Sequence, residues 1–151
     1  MRLKRKWPRR HSWADWRLAM EAIWWLGILR MALCFLPFKY ILRRMGLNMA
    51  SGNAPQGYSD WNGAKAAQIS WAVSAAAARV PWRSTCLIQA LAGARMLRRR
   101  SIHATLHLGT ARNPTNKSKL EAHAWLRCGD TILIGRHDRE RFCELAAFTT
   151  Q

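Results

Sequence analysis

Cys86 stands where a helix is expected to begin, and His123 opens a stretch downstream that alternates as a strand. A thiol at a helix N-terminus meets the positive end of the macrodipole and unpaired backbone N–H groups, and both favour thiolate over thiol. A histidine delivered from a neighbouring strand can take the thiol proton as a base and return it as an acid. The backbone N–H of Cys86 is itself a natural donor to an oxyanion. Together these point to cysteine acyl transfer. The plain alternatives are a buried apolar cysteine and a structural strand histidine. His107 competes as the base, because it lies on the polar face of the preceding strand. His103 and His137 read as surface residues, and Cys34, Cys128 and Cys143 as packing residues.

The elements around the pair follow from periodicity and caps. Ser84 or Thr85 can cap a helix that runs from Cys86 to about Arg99, with Leu87, Leu91, Ala94 and Leu97 recurring at helical spacing. An alanine-rich helix precedes it from about Asp60 to Arg79, stopped by Pro81. Ile102, Ala104, Leu106 and Leu108 alternate with polar neighbours, which predicts a half-buried strand, and 111–119 form a polar loop. His123 to Arg127 gives a second strand, Gly129-Asp130 a tight turn, and Thr131 to Ile134 a third strand. Phe142 to Phe148 closes the sheet as a strand or a short helix.

Beyond the turn, a side chain could orient the imidazole. If Gly129-Asp130 forms a two-residue turn, His123 opposes residue 136, and its same-face neighbours are Ile134, Arg136 and Asp138. Arg136 has the wrong chemistry, Gly135 offers nothing, and Asp130 sits in the turn. Asp138 is therefore the candidate to orient His123, with a backbone carbonyl or a water as the alternatives.

Composition bounds the class. The chain has 151 residues and is half hydrophobic, which excludes a chain that is wholly a disordered basic tail and allows a real core. Its formal net charge is +17, from 25 Lys+Arg against 8 Asp+Glu, so it should attract something acidic. Six of the basic residues (Arg2, Lys4, Arg5, Lys6, Arg9, Arg10) fall in the first ten positions and read most simply as a solvated tail. No helix-turn-helix, zinc-finger or aromatic RNA-binding signature accompanies the charge, so no specific nucleic-acid partner is expected. The four cysteines show no CxxC or CxxH spacing, which argues against a metal site. No cofactor is implied. Their contexts suit a reducing cytoplasm better than a disulfide framework.

The run AIWWLGILRMALCFLPF at 22–38 resembles a signal peptide or a short span. Arg30 interrupts it, it falls short of the roughly 20 apolar residues of a span, and Pro37 breaks its end. The reading is a helix from about Trp13 to Phe35, capped by Ser12, that packs on the domain or on a partner. Peripheral membrane contact is the runner-up. A short basic helix follows Pro37, and the Asn-, Gly- and Pro-rich stretch after it reads as a linker. The expected organisation is a basic tail and helical extension over 1–46, a linker over 47–58 and a catalytic domain over 59–151.

A cysteine helix followed by an antiparallel meander carrying a histidine resembles the transglutaminase-like and papain-like enzymes, an α+β core of catalytic helix and antiparallel sheet. The segment PWRSTCLIQALAGARMLRRRSIHATLHLGT, then AHAWL, is similar to the leader-peptidase B proteins of lasso peptide biosynthesis, and so is LPFKYILRRMG. That resemblance implies a cysteine peptidase acting on the leader of a ribosomally made precursor, ahead of an ATP-using macrolactam cyclase. It also implies an aspartate after the strand that follows the histidine, as a third catalytic member that orients the imidazole. The residues before the alanine-rich helix read as helix and linker and not as a stranded winged-helix unit, so a separate leader-recognition protein is expected. The rival readings are a catalytically silent scaffold that docks leader or cyclase, and a basic protein of nucleic acid or membrane surfaces.

Overall fold

The computed structural model describes residues 12–50, 63–116, 118–137 and 139–150. α1 (Trp13–Phe35) begins at a capping box: Ser12 Oγ accepts from Ala14 N–H, and the Ser12 N–H donates to Asp15. Pro37 separates it from α2 (Phe38–Arg44). Then come β1 (Leu47–Met49), α3 (Gly63–Ala77), α4 (Cys86–Arg98), β2 (Thr105–Arg112), β3 (Leu120–Cys128), β4 (Thr131–Ile134), a short 3₁₀ turn at Arg139–Arg141, and β5 (Cys143–Thr150).

The five strands form one antiparallel sheet in the order β1-β5-β2-β3-β4. α3 and α4 pack on one face of it, and α1 lies across both helices as an outer layer. α4 is therefore enclosed on two sides. Ala90, Leu91, Ala92, Ala94, Met96 and Leu97 are all buried, and small residues let α1 and the sheet approach it closely. Leu26 of α1, Ile69 of α3, Leu91 of α4 and Leu126 of β3 belong to one core cluster. The architecture is the α+β plan of helix and antiparallel sheet read from the residues.

Three differences matter. Leu47–Met49, expected in the linker, pairs with β5 as an edge strand, with Leu47 buried. β2 starts at Thr105 and not at Ile102, while β3 extends back to Leu120. The Gly129-Asp130 turn pairs Cys128 with Thr131 as expected, but a bulge at Leu133 moves Ile134 opposite Leu126. That one-residue slip reverses the parity beyond it. Ile134 consequently shares a face with Leu126, against α4, and is no neighbour of His123.

Candidate active site

Thr85 caps α4 with its hydroxyl accepting from Ile88 N–H at 3.4 Å, so Cys86 is the first helical residue. Gln89 N–H closes the first turn onto the Thr85 carbonyl, and the Gln89 side-chain amide donates to the Ser84 carbonyl at 2.9 Å. The loop leading into the cysteine is thereby tied to the helix it starts. A helix leaves its first N–H groups unpaired. The cap takes that of Ile88 and leaves those of Cys86 and Leu87 without a partner inside the helix. Cys86 is half-buried.

His123 comes from β3. Its Nε2 lies 2.8 Å from the carbonyl oxygen of Gly135, just past the end of β4. A carbonyl can only accept, so Nε2 carries the hydrogen and Nδ1 carries the lone pair. The contact thus selects the tautomer in which Nδ1 is the basic nitrogen. The ring is held between Phe142, with centroids 4.8 Å apart, and Trp125, with centroids 6.1 Å apart. Gly135 has φ +80°, and a Cβ there would fall 2.5 Å from the Ala124 carbonyl oxygen. Only glycine lets the backbone approach β3 closely enough to present that carbonyl. Gly135, dismissed on sequence for lacking a side chain, is the group that orients His123. Asp138 lies outside the described residues.

α4 packs on β3. The short connection 99–104 leads from α4 into β2, whose Thr105 pairs with Arg127, so α4 and β3 run in the same direction. Gly93 meets Leu126 and Ile134. Seven residues back along the helix is about 10 Å, and three residues back along the strand is also about 10 Å. Cys86 and His123 thus lie equally far, along their own elements, from the Gly93–Leu126 contact. β4 has ended by His123, and the edge of β3 is open on the side to which the imidazole turns. Strand parity places His123 with Trp125 on the face of the sheet away from Ala124 and Leu126, which face α4. Among the described residues, Cys86 Sγ makes no hydrogen bond and His123 Nδ1 has no partner.

The other candidates separate clearly. His107 is buried and stacked on Trp125, with centroids 5.5 Å apart and planes at 1°, and its Nδ1 lies 3.1 Å from Glu144. The carboxylate engages it and the Trp125 ring shields it, so its place is in packing. Trp125 is only 1% exposed, with the Arg139 guanidinium over its ring, and it serves in packing. Trp82 packs on Gly27 of α1. His103 is half-buried, with Nδ1 3.1 Å from the Thr150 carbonyl, and His137 is exposed. All four cysteines are free thiols. Cys128 is buried and donates to the His103 carbonyl, and burial pushes its thiol pKa up. Cys34 and Cys143 are exposed.

The sequence reading missed Gly135, Phe142 and the covering turn at Arg139–Arg141. A glycine directly after an edge strand was the one available signal, because positive φ there frees a carbonyl. A family model described as transglutaminase-like superfamily matches residues 32–147, a span that contains Cys86 and His123. No curated protein and no solved structure matches. With more than half its length covered by that model, and a cysteine-initiated helix packed on an antiparallel sheet, the chain belongs to the transglutaminase-like superfamily.

Proposed function

We propose that this chain is a cysteine peptidase that removes the leader from a ribosomally made lasso peptide precursor. It acts with a separate leader-binding protein and ahead of an ATP-dependent macrolactam cyclase. The superfamily includes cysteine proteases. The STCL and AHAW elements, at Ser84–Leu87 and Ala122–Trp125, support the choice of substrate. The observation that supports the chemistry is a capped cysteine at a helix start in the same domain as a strand imidazole whose Nε2 is held by the Gly135 carbonyl.

In this reading Nδ1 of His123 takes the Cys86 proton, and the sulfur bonds to the carbonyl carbon of the scissile peptide. The negative oxygen that results is met by the N–H groups of Cys86 and Leu87. Its collapse breaks the C–N bond, and Nδ1 hands its proton to the departing amine. Water, deprotonated by the same Nδ1, then cleaves the thioester and releases a carboxylate and the thiol. Throughout, Nε2–H stays on the Gly135 carbonyl, so the ring keeps its orientation. A carbonyl supplies a dipole where a carboxylate would supply a charge, so it stabilises the imidazolium less. This reading requires the Cys86–His123 contact to form when substrate enters.

The test is mass spectrometry of a cognate precursor mixed with the chain and its leader-binding protein. A leader-sized loss that vanishes in Cys86→Ala and in His123→Ala supports the reading. A precursor left intact by every combination sinks it, and cleavage that survives Cys86→Ala assigns the chain to docking instead.

A further inference from the structure

The outer face of α1 is open. Trp13, Met20, Trp24, Ile28, Met31 and Phe35 follow one another at helical steps of three, four or seven and are all exposed, Trp24 by 66% and Phe35 by 76%. Their stripe lies opposite the one formed by Ala19, Ala22, Leu26 and Leu29, which is buried in the core. From Trp13 to Phe35 it runs about 33 Å along the helix. Beside its C-terminal half, Trp82 closes a groove of about 670 Å³ whose lining contains no charged residue. Monomeric proteins rarely expose so long an apolar strip without a partner.

We infer that this stripe docks on the surface of an anionic lipid bilayer, with α1 lying in the interface. Charge selects this occupant. Arg17 sits within the stripe, Arg83 is exposed beside Trp82, and Lys39 and Arg43 are exposed just past the helix end. The two acids of α1 are engaged: Asp15 accepts from Ser12 N–H, and Glu21 pairs with Arg99 at 3.3 Å and Arg100 at 2.7 Å. Six further Lys and Arg precede the helix in the sequence. A basic cluster beside an apolar, tryptophan-bearing helix suits anionic headgroups over acyl chains. A second copy would bring another +17 charge against the same face. A protein partner would expect about one hydrogen bond per 100–200 Å², and the groove lining is almost wholly apolar.

By length and composition α1 could also cross a membrane. Crossing would withdraw Ala22 and Leu26, both fully buried, from the core they share with α3 and α4. Lying in the interface leaves that core intact.

The full chain is sedimented with vesicles of phosphatidylcholine containing a quarter phosphatidylglycerol, and with pure phosphatidylcholine, at low and high salt. The expected result is co-sedimentation with the anionic vesicles that weakens with salt, and tryptophan quenching by brominated acyl chains. Trp24→Glu combined with Met31→Glu should lower vesicle binding at least tenfold while leaving the far-ultraviolet circular dichroism unchanged. Binding unaltered by that pair, or lost with no quenching in the wild type, overturns the proposal, because charge alone would then account for the association. So does a chain that ignores both vesicles, whether it runs as a monomer or as a dimer abolished by the same pair.

Discussion

The imidazole of His123 depends on a backbone carbonyl, and that dependence can be broken without touching a catalytic side chain. In Gly135→Ala the new Cβ would strike the Ala124 carbonyl, and φ +80° would strain any L residue. The carbonyl must then withdraw from Nε2, freeing the ring to rotate and change tautomer. The expected outcome is a fall in kcat of about 10²–10⁴-fold for leader removal, toward the His123→Ala level. The stability read from urea unfolding should drop by only about 1–3 kcal/mol. Unchanged kcat would mean that another group orients the ring. Cys128 offers a second check. Burial holds its proton more tightly in the folded than in the unfolded chain. Its contribution to stability is therefore complete below the unfolded value and declines as pH rises from there through the folded one. Wild type should lose more stability than Cys128→Ala between neutral and strongly alkaline pH, measured by urea unfolding of the two proteins side by side. Cys86 and His123 could be nominated from the sequence because a cap residue, a thiol and an imidazole announce their chemistry by type. Gly135 was not, because its contribution is a carbonyl that every residue possesses.

Among the elements, helices were easier to read than strand registers. Ser12, Pro37, Thr85 and the alanine run mark helix limits through local chemistry, and α1 and α4 start where those residues place them. Register is a long-range property. In β4, Ile132, Leu133 and Ile134 are apolar in succession, so period-two patterning assigns none of them to a face. The bulge at Leu133 then settles it, with Ser70 of α3 donating to the Leu133 carbonyl and Ile134 packed on α4. β1 was hidden for a similar reason: three residues in a turn-rich stretch become a strand only because β5 offers an unpaired edge. The cap of α4 gives this scale its prediction. Thr85→Ala removes the acceptor of Ile88 N–H and should lower stability by about 1 kcal/mol, with some loss of activity as the helix start loosens around Cys86. Thr85→Ser keeps an oxygen in the same place and should restore both. Urea unfolding and the leader-removal assay, run on the two variants together, separate the cap from mere side-chain volume.

For the molecule as a whole, α1 is part of the unit that holds the cysteine helix and serves as more than an appendage. α4 lies between α1 and the sheet, Leu26 is fully buried in the cluster shared with Leu91 and Leu126, and the Arg95 guanidinium of α4 sits over the Trp25 ring of α1. Arg30 of α1 also donates to the Arg83 carbonyl at 2.9 Å, tying the helix to the loop that delivers Cys86. The two faces of α1 should then answer differently to the same truncation. Leu26→Ala leaves a cavity under α4 and should cost about 2–5 kcal/mol. Met31→Ala trims a side chain that faces solvent and should shift stability by no more than about 0.5 kcal/mol. Because the layers share one core, the unfolding of Leu26→Ala should remain a single transition, with circular dichroism and tryptophan fluorescence coinciding. If the two signals instead separate, α1 unfolds on its own and the site does not rest on it. A single transition moved to lower urea makes the inner face of α1 a structural requirement of the active site, and leaves its outer face free for a partner.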